Sequence, residues 1–321
     1  MYLLNRKAIA IMRTYINNLF GIVLLLTLFS CGNKNTADNN TNASLTTNPP
    51  DSIAELPFPI IPDSITEAVD RADYVILHFW DLMDFNDRNL TTDESFMEQN
   101  FVNYYSIFSL ASEKARHQSV RDLILKFAVD SIGFHQFLKV SDRYLFDPDS
   151  PVRNDLDFII FLTEEINSGL LPDHDIEWRR GLFQLASKNN PGNKAENFNF
   201  RLKDGLNTSL YGLKFKGDLI IFFYDPDCNN CQRVKEQLKL AKNLNNLIDK
   251  EEITLLALAV TDDLDKWQEA VATMPGSWMH AIDFRQTDEN LTYDLRALPS
   301  IYMLDSTLNV IYKDLDSSAI N

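Results

Sequence analysis

The chain has 321 residues, 45% of them apolar and 24% charged, which is too long for one small core and fits two ordinary domains with a tail. Its net charge of −16 excludes a phosphate-binding or anionic-surface role, and there is no basic stripe interleaved with aromatics, so nucleic acid is not an expected partner. Three cysteines are too few for a disulfide scaffold.

At the start of the chain, Arg6, Lys7 and Arg13 precede an apolar run from Leu19 to Phe29 that is too short to be a permanent membrane helix, so residues 1–30 read as a secretory signal. The run ends in Leu28-Phe29-Ser30-Cys31, which resembles the lipobox of bacterial lipoproteins. That resemblance implies that Cys31 is acylated and anchors the protein to a membrane in the cell envelope, facing the periplasm. Loss of residues 1–30 would remove three basic groups and no acidic ones, taking the formal charge to −19. Residues 31–50 are polar and nearly free of apolar side chains, so they cannot bury enough surface to fold and read as a tether.

The proline-rich stretch after Asp51 forms an extended lead-in. From Ile65 the apolar residues Val69, Ala72, Ile76, Phe79 and Trp80 recur at helical steps. Helices are expected over Ser95 to Lys114, Ser119 to Val140, Asp155 to Asn167 and Asp175 to Lys188, with "FDPDSP" and "SGLLPD" as breaks. An all-helical domain therefore occupies 51–188, with "NNPGNK" as its boundary.

From 189 to 321 the pattern changes to short β-rich runs alternating with helices, the signature of an α/β sheet. "ENFNFRLKDG" and "TSLYGLKF" read as a leading hairpin, and "DLIIFFYD" as a central strand buried on both faces. A long helix is expected from Cys228 to about Ile248, then strand "ITLLALAV", helix Leu264 to Met274 and strand "MHAIDF". A short helix near Glu289 to Arg296 and strands "SIYMLD" and "NVIYKDL" follow.

The run "YDPDCNNCQRV" carries the chemistry. Cys228 opens a helix directly after a central strand, where unpaired amides and the helix dipole favour an anion. Asp227 reads as the N-cap, and its own charge opposes a thiolate beside it. Cys231, one turn on, lies behind Cys228 and is suited to attack a mixed disulfide formed there. A bridge closing so short a loop constrains the unfolded chain little, so structural stapling is a poor explanation. A zinc site would need about four ligands, and only His280 of the five histidines falls in this part of the chain. Two inert buried cysteines remain a competing reading.

Strand, C-x-x-C helix, strand, and a proline opening a later strand at "RALPSIYMLD" resemble the thioredoxin fold, specifically its membrane-anchored branch with an extra helix and strand. The expected class is thus α + α/β, an all-helical N-terminal domain followed by a thioredoxin-like domain. The resemblance implies that Pro299 is a cis-proline lying against the cysteines and that the Leu298 backbone bonds a substrate peptide. Asp227 sits where the family commonly has tryptophan, on the substrate-facing surface. The family's buried acid beneath the pair falls on Phe222, and Asp262, Asp265 or Glu269 are the candidates to replace it. A terminal helix has no room before Asn321, which would leave Ile301 or Met303 uncovered.

"HFWDLMDFND", "YLFDPDSPVRND", "NNPGNKAENFNF" and "FFYDPDCNNC" together resemble a lipoprotein architecture of Bacteroidota, an uncharacterised helical domain joined to a thioredoxin-like one. Of the residues carrying that match, His78, Trp80, Asp81, Asp84, Asp87 and Arg153, Trp80 reads as core and Arg153 as pairing with Asp147 and Asp149 to order a loop. The function implied is a tethered thiol-disulfide oxidoreductase acting on envelope proteins that carry thiols or disulfides, with no cofactor and no metal. Two alternatives stay open. One is a non-catalytic binding lipoprotein on a degenerate scaffold, the other a cytochrome or metal maturation helper. Asn229 and Asn230 do not fix the direction of exchange.

Overall fold

The computed structural model describes residues 55–315; the signal segment 1–30, Cys31 with the tether 31–50, and residues 316–321 lie outside them. The first half is helical: α1 (Ala68–His78), α2 (Arg88–Thr91), α3 (Glu94–Phe108), α4 (Glu113–Lys126), α5 (Ser131–Leu145), α6 (Asp155–Asn167) and α7 (Asp173–Ser187), with a 3-10 turn at Phe127–Val129. Apolar residues at helical spacing bury one stripe of each helix. Met97, Phe101, Tyr104 and Phe108 of α3 meet Phe137 of α5 and Phe158 and Phe161 of α6 in one aromatic core. Trp80 is buried in the same core.

Where two helices were expected between 95 and 140, three form, with breaks at 109–112 and 127–130. Ser112 ends the first stretch because its hydroxyl caps α4 by accepting from the Ala115 amide, while Asp73 on α1 accepts from both its amide and its hydroxyl. Asp130 starts α5 in the same way, accepting from the Ile132 amide, and is held by Arg88 at 2.9 Å. The partners Asp73 and Arg88 lie about forty residues away in sequence, beyond what local periodicity can register.

The second half is a seven-stranded sheet of order β2-β1-β5-β4-β3-β6-β7. The strands are β1 (Asn199–Leu202), β2 (Asn207–Ser209), β3 (Asp218–Tyr224), β4 (Ile253–Ala259), β5 (Met279–Ile282), β6 (Ser300–Leu304) and β7 (Val310–Tyr312). β3, β4 and β5 run parallel, while β6 pairs antiparallel with β3 and the β1–β2 hairpin antiparallel with β5. Gly217 makes the turn into β3 at φ +68°, and a Cβ there would sit 1.9 Å from the Glu252 carbonyl oxygen.

Alternation along β3 divides the core. Ile220, Phe222 and Tyr224 point to one face with Ala257, Ala259 and Ile301, whereas Leu219, Ile221 and Phe223 point to the other with Leu256, Leu258 and Tyr302. The first face is covered by α8 (Asn229–Leu240), α9 (Lys242–Asp249) and α10 (Leu264–Ala272).

Three differences from the sequence reading appear here. The helix expected to run unbroken from Cys228 to Ile248 is two, because Ala241 is extended and the Asn245 side chain donates to the carbonyls of Leu238, Lys239 and Ala241. The short helix expected at 289–296 lies earlier, as α11 (Gln286–Glu289), since positive φ at Phe284, Arg285 and Leu291 brackets it. Ile301 is buried rather than uncovered: Leu315 packs on its cluster and donates its amide to the Ile301 carbonyl at 2.8 Å.

Candidate functional site

β3 ends at Tyr224, and the chain turns through Asp225-Pro226-Asp227 into α8. The cap of α8 is Cys228, not Asp227: the Cys228 sulfur accepts from the Cys231 amide at 3.2 Å. Asp227 cannot serve because its carboxylate is exposed and turned to the Lys266 ammonium on α10. The loop is ordered instead by Asp225, whose carboxylate accepts from the Asp227 amide at 2.8 Å and whose carbonyl accepts from the Cys228 amide. An amide directed at sulfur stabilises negative charge on it.

The two thiols differ in access. Cys228 is half-buried, Cys231 is 1% exposed, and both are free. Burial pushes the Cys231 thiol far up, with a further contribution from the Cys228 sulfur beside it. The Leu298-Pro299 bond is cis, and the Cys228 thiol donates to the Leu298 carbonyl at 3.5 Å. The structure thus gathers Cys228, Cys231, Leu298 and Pro299, while Asp227 flanks them on the solvent side.

Beneath the pair, Phe222 is fully buried and offers no proton acceptor. Asp262, Asp265 and Glu269 all face solvent, since the buried side of α10 is Trp267, Ala270 and Val271. Asp225, three residues before Cys228, acts on Cys231 in opposite senses, its backbone favouring the thiolate and its charge opposing it, and the sequence reading passed it over. Tyr224 was also missed. Its hydroxyl is buried in the cluster that holds Cys231 and has no hydrogen-bond partner. Lys266 had no sequence signal, being 39 residues from Asp227. Among the described residues no group of three or more His, Cys, Asp or Glu is arranged to hold a metal ion.

A cleft of about 570 Å³ runs beside the pair, lined by Asn230, Arg233 and Pro299 from the sheet half and by Pro148, Pro151 and Arg153 from the helical half. Arg153 does not pair with Asp147 and Asp149 as expected. It reaches Asp294 at 2.7 Å, Asp314 at 2.5 Å and Asp155 at 3.4 Å, and Lys313 closes on Asp155 at 2.6 Å. Burial opposes the Asp294 charge, yet Arg296 and Arg153 hold its carboxyl below the usual range. Burial leaves Asp314 above that range despite Arg153. Asp314 also accepts from the hydroxyl of Ser300, the residue after Pro299, at 2.6 Å, so the charge cluster reaches from the helical half to the edge of the dithiol site.

Residues 30–189 match the family described as Domain of unknown function (DUF5106). No curated protein matches the chain. Among solved structures, thiol-disulfide oxidoreductases of Bacteroides vulgatus and Bacteroides fragilis are similar at 16% and 18% identity. They cover 41% and 40% of this chain and 92% and 93% of their own, with TM-scores of 0.36 and 0.35. The crystal structure of a thioredoxin-like protein from Bacteroides caccae is similar at 30% identity with a TM-score of 0.76, covering 83% of this chain and 96% of that one. With that identity over nearly the whole relative, the chain belongs to the thioredoxin-like proteins.

Proposed function

We propose that the protein is a thiol-disulfide oxidoreductase tethered to the cell envelope through Cys31. The observation that carries the reading is the Cys228 thiol at the start of α8, half-exposed, beside a buried Cys231 and within 3.5 Å of the Leu298 carbonyl. In the reducing direction the Cys228 thiolate attacks a substrate disulfide, forming a mixed disulfide and releasing one substrate thiolate. The Cys231 thiolate then attacks the Cys228 sulfur, the bond to the substrate breaks, and the electron pair leaves with the second substrate thiolate. The same steps in reverse oxidise a dithiol. The substrates are envelope proteins carrying thiols or disulfides, and the exchange needs no added cofactor.

Replacement of Cys231 by serine removes the second step, so the variant is expected to accumulate mixed disulfides through Cys228 when exposed to envelope proteins. Absence of any trapped species would leave a binding lipoprotein on a redox-inert scaffold as the surviving account. Equilibration of the wild-type pair with glutathione then places its potential and gives the direction of exchange.

A further inference from the structure

The resolving step asks most of Cys231, because this thiol must lose its proton inside an apolar cluster where burial disfavours the thiolate. Phe222 occupies the place beneath it where a carboxyl group would help. Within the same cluster, however, three polar atoms lack a hydrogen-bond partner, the Tyr224 hydroxyl and the Nε1 atoms of Trp267 and Trp278, and of these only the hydroxyl belongs to a group that acts on Cys231. A buried unpartnered hydroxyl costs stability unless another state of the molecule uses it. Tyr224 is 1% exposed and fixed by stacking on Phe222 at 5.4 Å, so its hydroxyl is pre-aimed rather than loose.

Resting on the thiol-exchange reading, we propose that Tyr224 is a positioning residue whose hydroxyl donates a hydrogen bond to the Cys231 thiolate as that thiolate forms and attacks the mixed disulfide. The Tyr224 hydroxyl and Cys231 act on one another electrostatically, and burial keeps the phenol protonated, so it holds a proton that it can donate. Trp267 acts on the hydroxyl oxygen as a donor, which leaves the phenol's own proton to be given to the thiolate. The remaining titratable groups acting on Cys231 are Cys228 and Asp225, and the neighbours from β4, β6 and α10 are the uncharged Ala257, Ala259, Ile301 and Trp267. Asp225 opposes the thiolate by its charge, although its backbone favours it. In the step itself the Cys231 proton passes to solvent and on to the departing thiolate, the Cys228–Cys231 bond forms, the bond from Cys228 to the substrate breaks, and the phenol keeps its own proton.

The test uses the reduced protein and dithiobis(nitrobenzoate), which releases one coloured thiolate when Cys228 attacks and a second when Cys231 resolves. Tyr224→Phe removes only the hydroxyl. The second phase is expected to slow about tenfold near neutral pH, as for loss of one charge-assisted hydrogen bond, and its pH midpoint to rise. The first phase and the melting temperature should not fall, which separates the effect from structural damage. A second phase with the wild-type rate and pH profile overturns the role of Tyr224, as does a shift that appears in Asp225→Asn and not in Tyr224→Phe. A wild type that releases a single equivalent overturns the exchange reading itself, and this inference with it.

Discussion

At the scale of single residues, the two cysteines differ in access: the leading sulfur can be reached from solvent and the second cannot. Asp227 would place an uncompensated negative charge beside Cys228 were it not for Lys266. Both groups are about half exposed, so the pair contributes little to stability. Its effect should show in reactivity toward anions. Lys266→Ala is expected to slow the attack of Cys228 on glutathione disulfide by about twofold to fivefold, with the loss shrinking at high salt and the melting temperature nearly unchanged; stopped-flow rates at two ionic strengths check this. The C-x-x-C spacing and the candidate proline could be read from the residues alone. The cap could not, because whether an aspartate caps a helix or turns away depends on a lysine from a different helix.

Among the elements, α6 and α7 illustrate a buried charge whose sign of action on stability can be worked out. Glu165 of α6 is fully buried, its carboxylate oxygens accept no hydrogen bond among the described residues, and its cation, Arg179 Nε of α7, lies 3.4 Å away. Burial raises its carboxyl to about 7, partly opposed by Arg179 and reinforced by Asp142. The folded state therefore binds a proton that the unfolded chain, titrating near the usual glutamate value, releases first. Stability from this group is present at acid pH and is lost as pH rises toward about 7. Glu165→Gln keeps the shape and removes the titration. Its melting temperature relative to wild type should rise between about pH 5 and pH 8, while Arg179 retains Asp142 at 2.5 Å; calorimetry across that range decides it. Helical periodicity located this helix to the residue, yet it misplaced the breaks at 109–112 and 127–130, where caps stabilised by distant side chains ended helices that the apolar pattern would have continued.

For the whole molecule, the charge cluster around Arg153 ties the loop before α6 to the strand end after β7 and to the segment before Pro299. Arg153 has 14% of its side chain exposed, so its removal leaves acids short of a partner in a poorly hydrated place. Asp155 and Asp294 keep Lys313 and Arg296, and the uncompensated group is Asp314. Arg153→Met is expected to cost roughly 3 kcal/mol, at the lower end for removing one partner from buried charges. Because Asp314 bonds Ser300 beside Pro299, the variant should also show faster proteolysis at 313–315 and slower exchange at Cys228. Denaturant unfolding and limited digestion measure these effects together.

The sequence by itself determined the class of each half, since apolar period separates helices from strands, and it placed two cysteines three positions apart directly after a strand, since that is a local arrangement. Only the tertiary structure decided what surrounds the sulfurs. Lys266, Tyr224 and the Leu298 carbonyl come to the site from separate elements, and Arg153 finds Asp294 and Asp314 more than a hundred residues away in the chain. Charge pairing and burial act through space over a few ångströms, so no pattern of neighbours along the chain encodes them.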